Sequence, residues 1–132
     1  MNRRNLTIAL ITLAILLVGC TRGASLEGTQ WVLVMLEGQA PLPGTVPSAE
    51  FSAEELSGTA GCNHYFGAYT ASGSDITIGD LAQTEMYCAD PEGVMDQEQA
   101  FVTALASAAG YRLAGARLEL LDSAGDVILV FE

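Results

Sequence analysis

The chain has 132 residues, 5 basic and 16 acidic side chains, a net charge of -11, and half of its residues are hydrophobic. That length suits one domain and leaves little room for a cofactor domain beside a catalytic one. All five basic residues are Arg, and so acidic a chain lacks the clustered cations that hold phosphates, which argues against nucleic acid as a partner. Three cysteines cannot all pair with one another, so at least one needs a separate explanation.

The chain opens Met1-Asn2-Arg3-Arg4-Asn5, a short positive segment. Residues 6–18 follow, apolar except for Thr7 and Thr12. This run has the length of a signal-peptide core and falls short of the roughly 20 apolar residues of a membrane span. It ends Leu17-Val18-Gly19-Cys20, which resembles the lipobox of bacterial lipoproteins. There the signal is cut before the Cys, and the Cys carries the lipid. The expectation is therefore a signal peptide over residues 1–19, a lipidated Cys20, a short tether to residue 25 and one domain over 26–132. The bland alternative is an uncleaved helix with an incidental Cys. Cleavage would leave 113 residues and, with Arg3 and Arg4 gone, a net charge of -13. Thr21 stands where an inner-membrane retention signal would place Asp, which points to the outer membrane, facing the periplasm.

Residues 30–36 read as a strand, with Trp31, Leu33 and Met35 on one face and Val32, Val34 and Leu36 on the other. Apolar residues on both faces suggest a central strand or one covered on both sides. Residues 38–47, rich in Gly and Pro, read as a loop. Short strands are expected at 49–53, 56–60, 65–70 and 76–78, with a turn at 71–75, and residues 81–87 suit another strand. A helix follows, with Asp90 as N-cap and Pro91 in the first helical position. Val94, Phe101, Leu105 and Ala108 recur at helical spacing, Glu98 falls on the same stripe, and Gly110 suits a glycine stop. Strands at 111–113, 117–121 and 127–131 close the chain, with Gly115 and residues 123–126 as turns. Many short antiparallel strands and one main helix make a mainly β, α+β domain: a curled sheet or small barrel packed with a helix.

The order of residues then matches a known pattern. Gly28-Thr29-Gln30-Trp31 starts the domain, Phe51 and Gly58 lead into Gly61-Cys62-Asn63, and Gly67 and Tyr69 follow. Thr84, Met86 and Cys88 come next, then Glu98 and Leu105 on the helix, then Leu118 and Leu120. The chain resembles the META domain family of HslJ-like bacterial lipoproteins over essentially all of residues 26–132. The resemblance implies a small secreted or lipid-anchored β-rich domain. It also implies links to heat shock, novobiocin tolerance, virulence or secretion. It carries over no catalytic residue and no cofactor. The family fold is similar to that of a lipid-binding secretion pilot protein, which suggests a binding or chaperone role by analogy alone.

The residues leave several chemistries open. Cys62 and Cys88 would form a disulfide in an oxidising compartment, with a loop closure worth on the order of 3 kcal/mol. Cys62, His64 and Cys88, with Asp90, would instead supply metal ligands, although their spacing fits no strong zinc template. Cys62 with His64 as base is the thiol-enzyme version. Asn63 reads as a turn residue, and Gly58, Gly61 and Gly67 as bends or bulges. A charge at Glu98, on an apolar stripe, needs a partner, and Arg112 and Arg117 are the cations at hand. Asp75, Asp80, Asp122 and Asp126 would bind calcium weakly at most, without an EF-hand pattern. The functional expectation is a non-enzymatic lipoprotein without metal or cofactor, held to the membrane by its N-terminal lipid. It would bind an envelope protein or an apolar ligand, or serve as an adaptor of an envelope or secretion complex. Oligomeric state is not legible.

Overall fold

The computed structural model describes residues 25–132. The expected signal peptide and Cys20 lie outside the described residues.

The described chain folds as strands β1 (Thr29–Leu36), β2 (Ser48–Phe51), β3 (Glu55–Thr59), β4 (His64–Ser72), β5 (Asp75–Ile78) and β6 (Ala82–Gln83). Helix α1 (Val94–Ser107) follows, then β7 (Gly110–Ala114), β8 (Arg117–Leu121) and β9 (Val127–Phe131). The sheet runs β3-β2-β1-β9-β8-β7-β5-β4, and β3 also pairs with β4, so eight antiparallel strands close a barrel. Closure removes the open edges that a flat sheet would leave. β6 stands outside the ring and pairs only with the first half of β4.

Alternation drives the packing. Phe51, Leu56, Tyr65, Leu118, Leu129 and Phe131 point inward and are at most 1% exposed. One face of α1 completes the core, with Val94, Glu98, Phe101, Ala104 and Leu105 buried. The Phe101 ring meets Tyr65 and Phe131 edge-on at 5.6 and 6.3 Å. The seam between β5 and β7 is thin, with one strand pair, Asp75 and Gly110. The helix packs on β5 and β9 and delivers the chain to that seam.

The β1 expectation needs correction. The register of β1 against β9 shifts between Leu33 and Met35. This bulge turns Leu36, not Met35, onto the core with Trp31 and Leu33. Met35 and Val32 are exposed, so β1 is central in the ring but covered on one side only. The turn after β4 is also tighter than expected. β4 runs on to Ser72 and β5 resumes at Asp75, leaving Gly73 and Ser74 between them.

The helix begins later than the sequence suggests. Residues 91–93 form a turn in which the Val94 N–H bonds the Pro91 carbonyl at 3.1 Å. Gly93, at φ 87°, is the N-cap, without a side-chain cap. Asp90 and Pro91 therefore precede the helix. At the other end Ala108 turns extended and caps on the Leu105 carbonyl, while Gly110 opens β7.

Two buried tyrosines tie β4 across β3. The Tyr65 hydroxyl donates to the Ser48 carbonyl at 2.7 Å, and the Tyr69 hydroxyl to the Ser52 carbonyl at 2.6 Å. Burial raises the titration of both phenols, and Glu27 adds to it at Tyr69. A phenol that resists ionisation in the fold contributes its stability in full below about pH 10, the ordinary tyrosine value. That contribution fades as pH rises further, because the unfolded chain loses the proton first. The urea midpoint should therefore hold steady from pH 8 to about 9.5 and fall above it. A Tyr65→Phe, Tyr69→Phe double variant should show a flatter decline. An equally steep fall in that variant would remove the phenols as the cause.

Candidate functional site

The two buried polar side chains among the described residues are Asn63 and Glu98, at 3% and 4% exposure. They meet at one end of the barrel. The β3–β4 turn brings Asn63 there, the first half of α1 brings Glu98, and the stretch after β6 closes over them. The loop between β1 and β2 lies at the same end. There Gln97 accepts the Leu42 N–H at 2.6 Å and donates to Thr45 Oγ1 at 3.0 Å. No periodicity in the sequence marks Gln97 for this role.

Among the described residues, Glu98 pairs with no cation. Its Oε2 accepts the backbone N–H groups of Cys62 and Asn63 at 3.0 and 2.6 Å, and its Oε1 accepts Asn63 Nδ2 at 2.6 Å. The expected partners Arg112 and Arg117 lie elsewhere. Arg112 meets Glu119 at 2.8 Å, and Arg117 meets Glu119 and Glu132 at 3.4 and 3.5 Å. A turn entering a strand leaves backbone donors unpaired, and a buried carboxylate satisfies them as well as a cation satisfies a carboxylate.

Asn63 uses its whole amide. Nδ2 donates to Glu98 and to the Met86 carbonyl at 3.0 Å. Oδ1 accepts the Met86 N–H at 2.7 Å and the Thr84 hydroxyl at 2.9 Å. Thr84 Oγ1 in turn accepts the His64 N–H at 3.1 Å, and the Thr84 N–H donates to the His64 carbonyl at 3.0 Å. Every buried side-chain nitrogen or oxygen among the described residues has a partner. The node is a satisfied clamp, and its amide orientation is fixed by its neighbours.

Cys62 and Cys88 form a disulfide across this clamp, with their Cα atoms 5.9 Å apart. That bond takes both sulfurs from the metal and thiol-enzyme alternatives. No group of three His, Cys, Asp or Glu residues suited to a metal occurs among the described residues. His64 is exposed, with its backbone rather than its ring in the node. Asp122, one of the candidate calcium ligands, spends its carboxylate on the Ala124 and Asp126 N–H groups of its own turn. Removing the disulfide by Cys62→Ala with Cys88→Ala should cost about 3 kcal/mol in urea unfolding. A double variant as stable as the parent would show that the clamp alone holds these segments.

The expected motif residues separate into two groups. Gly61, Asn63, Thr84 and Glu98 belong to the clamp or its turn, and the disulfide joins them. Trp31, Gly67 and Tyr69 stand in the barrel wall. Trp31 donates from Nε1 to Thr29 Oγ1 at 2.7 Å, and Gly67 lies on β4 against the Asp80 carbonyl. Residues 81–87, expected as one strand, pair as strand only over Ala82–Gln83. Beyond Thr84 the partner is a side chain, Asn63, because β4 has already turned away.

The comparisons agree with this architecture. An NMR structure of a protein from Burkholderia xenovorans is 27% identical, over 81% of this chain and 82% of its own, with a TM-score of 0.63. A second NMR structure, 23% identical over 80% of this chain and 89% of its own, has a TM-score of 0.63 and supports the fold alone. No curated protein matches the chain. The family model that does match is the META domain, over residues 24–132. The chain thus belongs to the META domain family.

Proposed function

We propose that this protein is an exported lipoprotein, anchored through acyl chains on Cys20. Its barrel is a non-enzymatic binding module for envelope or stress homeostasis. The basic start, the apolar run of residues 6–18 and Leu17-Val18-Gly19-Cys20 support the anchor. Several acyl chains, each contributing about 0.8 kcal/mol per buried CH₂, hold such a domain on a bilayer. Thr21 after the Cys supports the outer membrane, facing the periplasm. The family's links to heat shock and drug tolerance support the stress role.

One observation carries the binding reading over a catalytic one: the buried polar groups are spent on each other, while large apolar side chains stand on the surface beside them. Met86 is 53% and Tyr87 82% exposed, directly next to the clamp. The barrel interior is filled by Phe51, Tyr65, Phe101 and Phe131, which favours a protein partner at the surface over an apolar ligand inside. An adaptor within an envelope or secretion complex is the second reading, and the same exposed residues would serve it.

Inhibiting the lipoprotein signal peptidase should accumulate a larger precursor. Cys20→Ser should shift the protein out of the membrane fraction. A normally sized, membrane-bound Cys20→Ser protein would contradict the anchor.

A further inference from the structure

We propose that residues 82–87 are a docking edge. It takes up an extended, positively charged segment of a partner protein by strand addition. This deepens the binding-module reading and rests on it, but not on the lipid anchor.

The edge is built by the clamp. β6 is the last strand in the sheet order and has β4 on one side only. The Thr84 N–H continues its ladder onto the His64 carbonyl. At the next inward position β4 has ended, and the Asn63 amide takes its place, accepting the Met86 N–H and donating to the Met86 carbonyl. The inward positions are thus 82, 84 and 86. By the alternation of an antiparallel ladder, the backbone groups of Gln83, Glu85 and Tyr87 face away from the barrel. The N–H groups of Glu85 and Tyr87 have no partner among the described residues. A closed barrel is a device for hiding such groups, yet this one holds a short edge open. The Cys62–Cys88 bond pins the far end, so little ordering cost remains when a partner pairs there.

Charge selects the occupant. Glu85 lies on the edge and Asp90 stands two residues beyond Cys88, both exposed, and no basic residue occurs between positions 81 and 111. Both Arg side chains of the described domain are engaged by Glu119 and Glu132. A second copy of the chain would bring the same acids face to face, and anionic headgroups would be repelled in the same way. A basic extended segment gains backbone hydrogen bonds from the edge, apolar contact from Met86 and Tyr87, and attraction from Glu85, Asp90 and the acidic domain as a whole.

The test uses the full chain in uncharged detergent micelles. The probe is a short peptide alternating Lys with Val and Thr. Two controls accompany it, one N-methylated at alternate residues and one with Glu in place of Lys. The basic peptide should slow hydrogen exchange at the Glu85 and Tyr87 amides. Its affinity should fall about tenfold between low and high salt, and Tyr87→Ser should weaken it about tenfold. Equal binding of the N-methylated peptide would overturn strand addition, and equal binding of the acidic peptide would overturn charge selection. Exchange slowed only by raising protein concentration would identify a second copy as the occupant and overturn the proposal. A partner crosslinked in cells through Val32 or Val127, and never through Tyr87, would overturn this edge while leaving the binding-module reading intact.

Discussion

Replacing Asn63 by Asp should cost about 4 kcal/mol at neutral pH, although the two side chains have the same shape. Asn63 Nδ2 sits 2.6 Å from Glu98 Oε1 and 3.0 Å from the Met86 carbonyl, both acceptors. A carboxylate oxygen in that place would face two acceptors and a like charge. Rotating the group brings no relief, because Oδ1 already serves the Thr84 hydroxyl and the Met86 N–H. Two carboxylates this close cannot both ionise cheaply, so the pair holds a proton to a higher pH than either would alone. A carboxyl pushed upward in the fold destabilises it above its ordinary range, and the loss is recovered as pH falls. Urea unfolding should therefore show the full deficit at pH 7 and a smaller one near pH 4.5. A variant within about 1 kcal/mol of the parent at pH 7 would mean that the Asn63–Glu98 contact holds little.

Gly58→Ala should cost about 4 kcal/mol, from overpacking together with a lost hydrogen bond. A Cβ at this position would lie 2.1 Å from the Ser48 carbonyl oxygen and 3.0 Å from the Tyr65 hydroxyl. Both are fixed, one by the backbone and the other by its bond to that same carbonyl. The only relief is to move β2 away from β3, which breaks the Tyr65 tie and loosens the barrel wall beside the clamp. Thermal and urea unfolding would check the cost. Tyr65→Phe in the Gly58→Ala background should then add little further loss, because the bond it removes is already gone. Full additivity of the two changes would contradict this account of the glycine.

The strands were legible because alternation and turn residues are local signals. Val127 to Phe131 and Arg117 to Leu121 can be read from sequence alone. A small barrel was within the expectation, but which strands close it was not legible, since no periodicity states that β3 meets β4 or that β5 meets β7. The β1 bulge was hidden for a different reason. Val34, Met35 and Leu36 are all apolar, so shifting the inward face by one residue leaves the pattern unchanged. Cys62 and Cys88 could be paired on paper once Cys20 was set aside. The partner of Glu98 could not, because charge matching directs attention to Arg, whereas the turn at Cys62 and Asn63 offers backbone amides. The helix start was missed because Asp90-Pro91 imitates a capping sequence, while Gly93 supplies the left-handed cap.

The central claim is that the Asn63 amide stands in for a missing strand residue and holds residues 84–86 as a barrel edge. Residue-resolved amide hydrogen exchange tests it most directly. The Thr84 and Met86 amides should exchange on the order of 100-fold more slowly than those of Glu85 and Tyr87. Asn63→Ala should erase the protection at Met86 while the amides of β8 and β9 remain protected. A Met86 amide that exchanges as fast as its neighbours in the parent protein would contradict the claim.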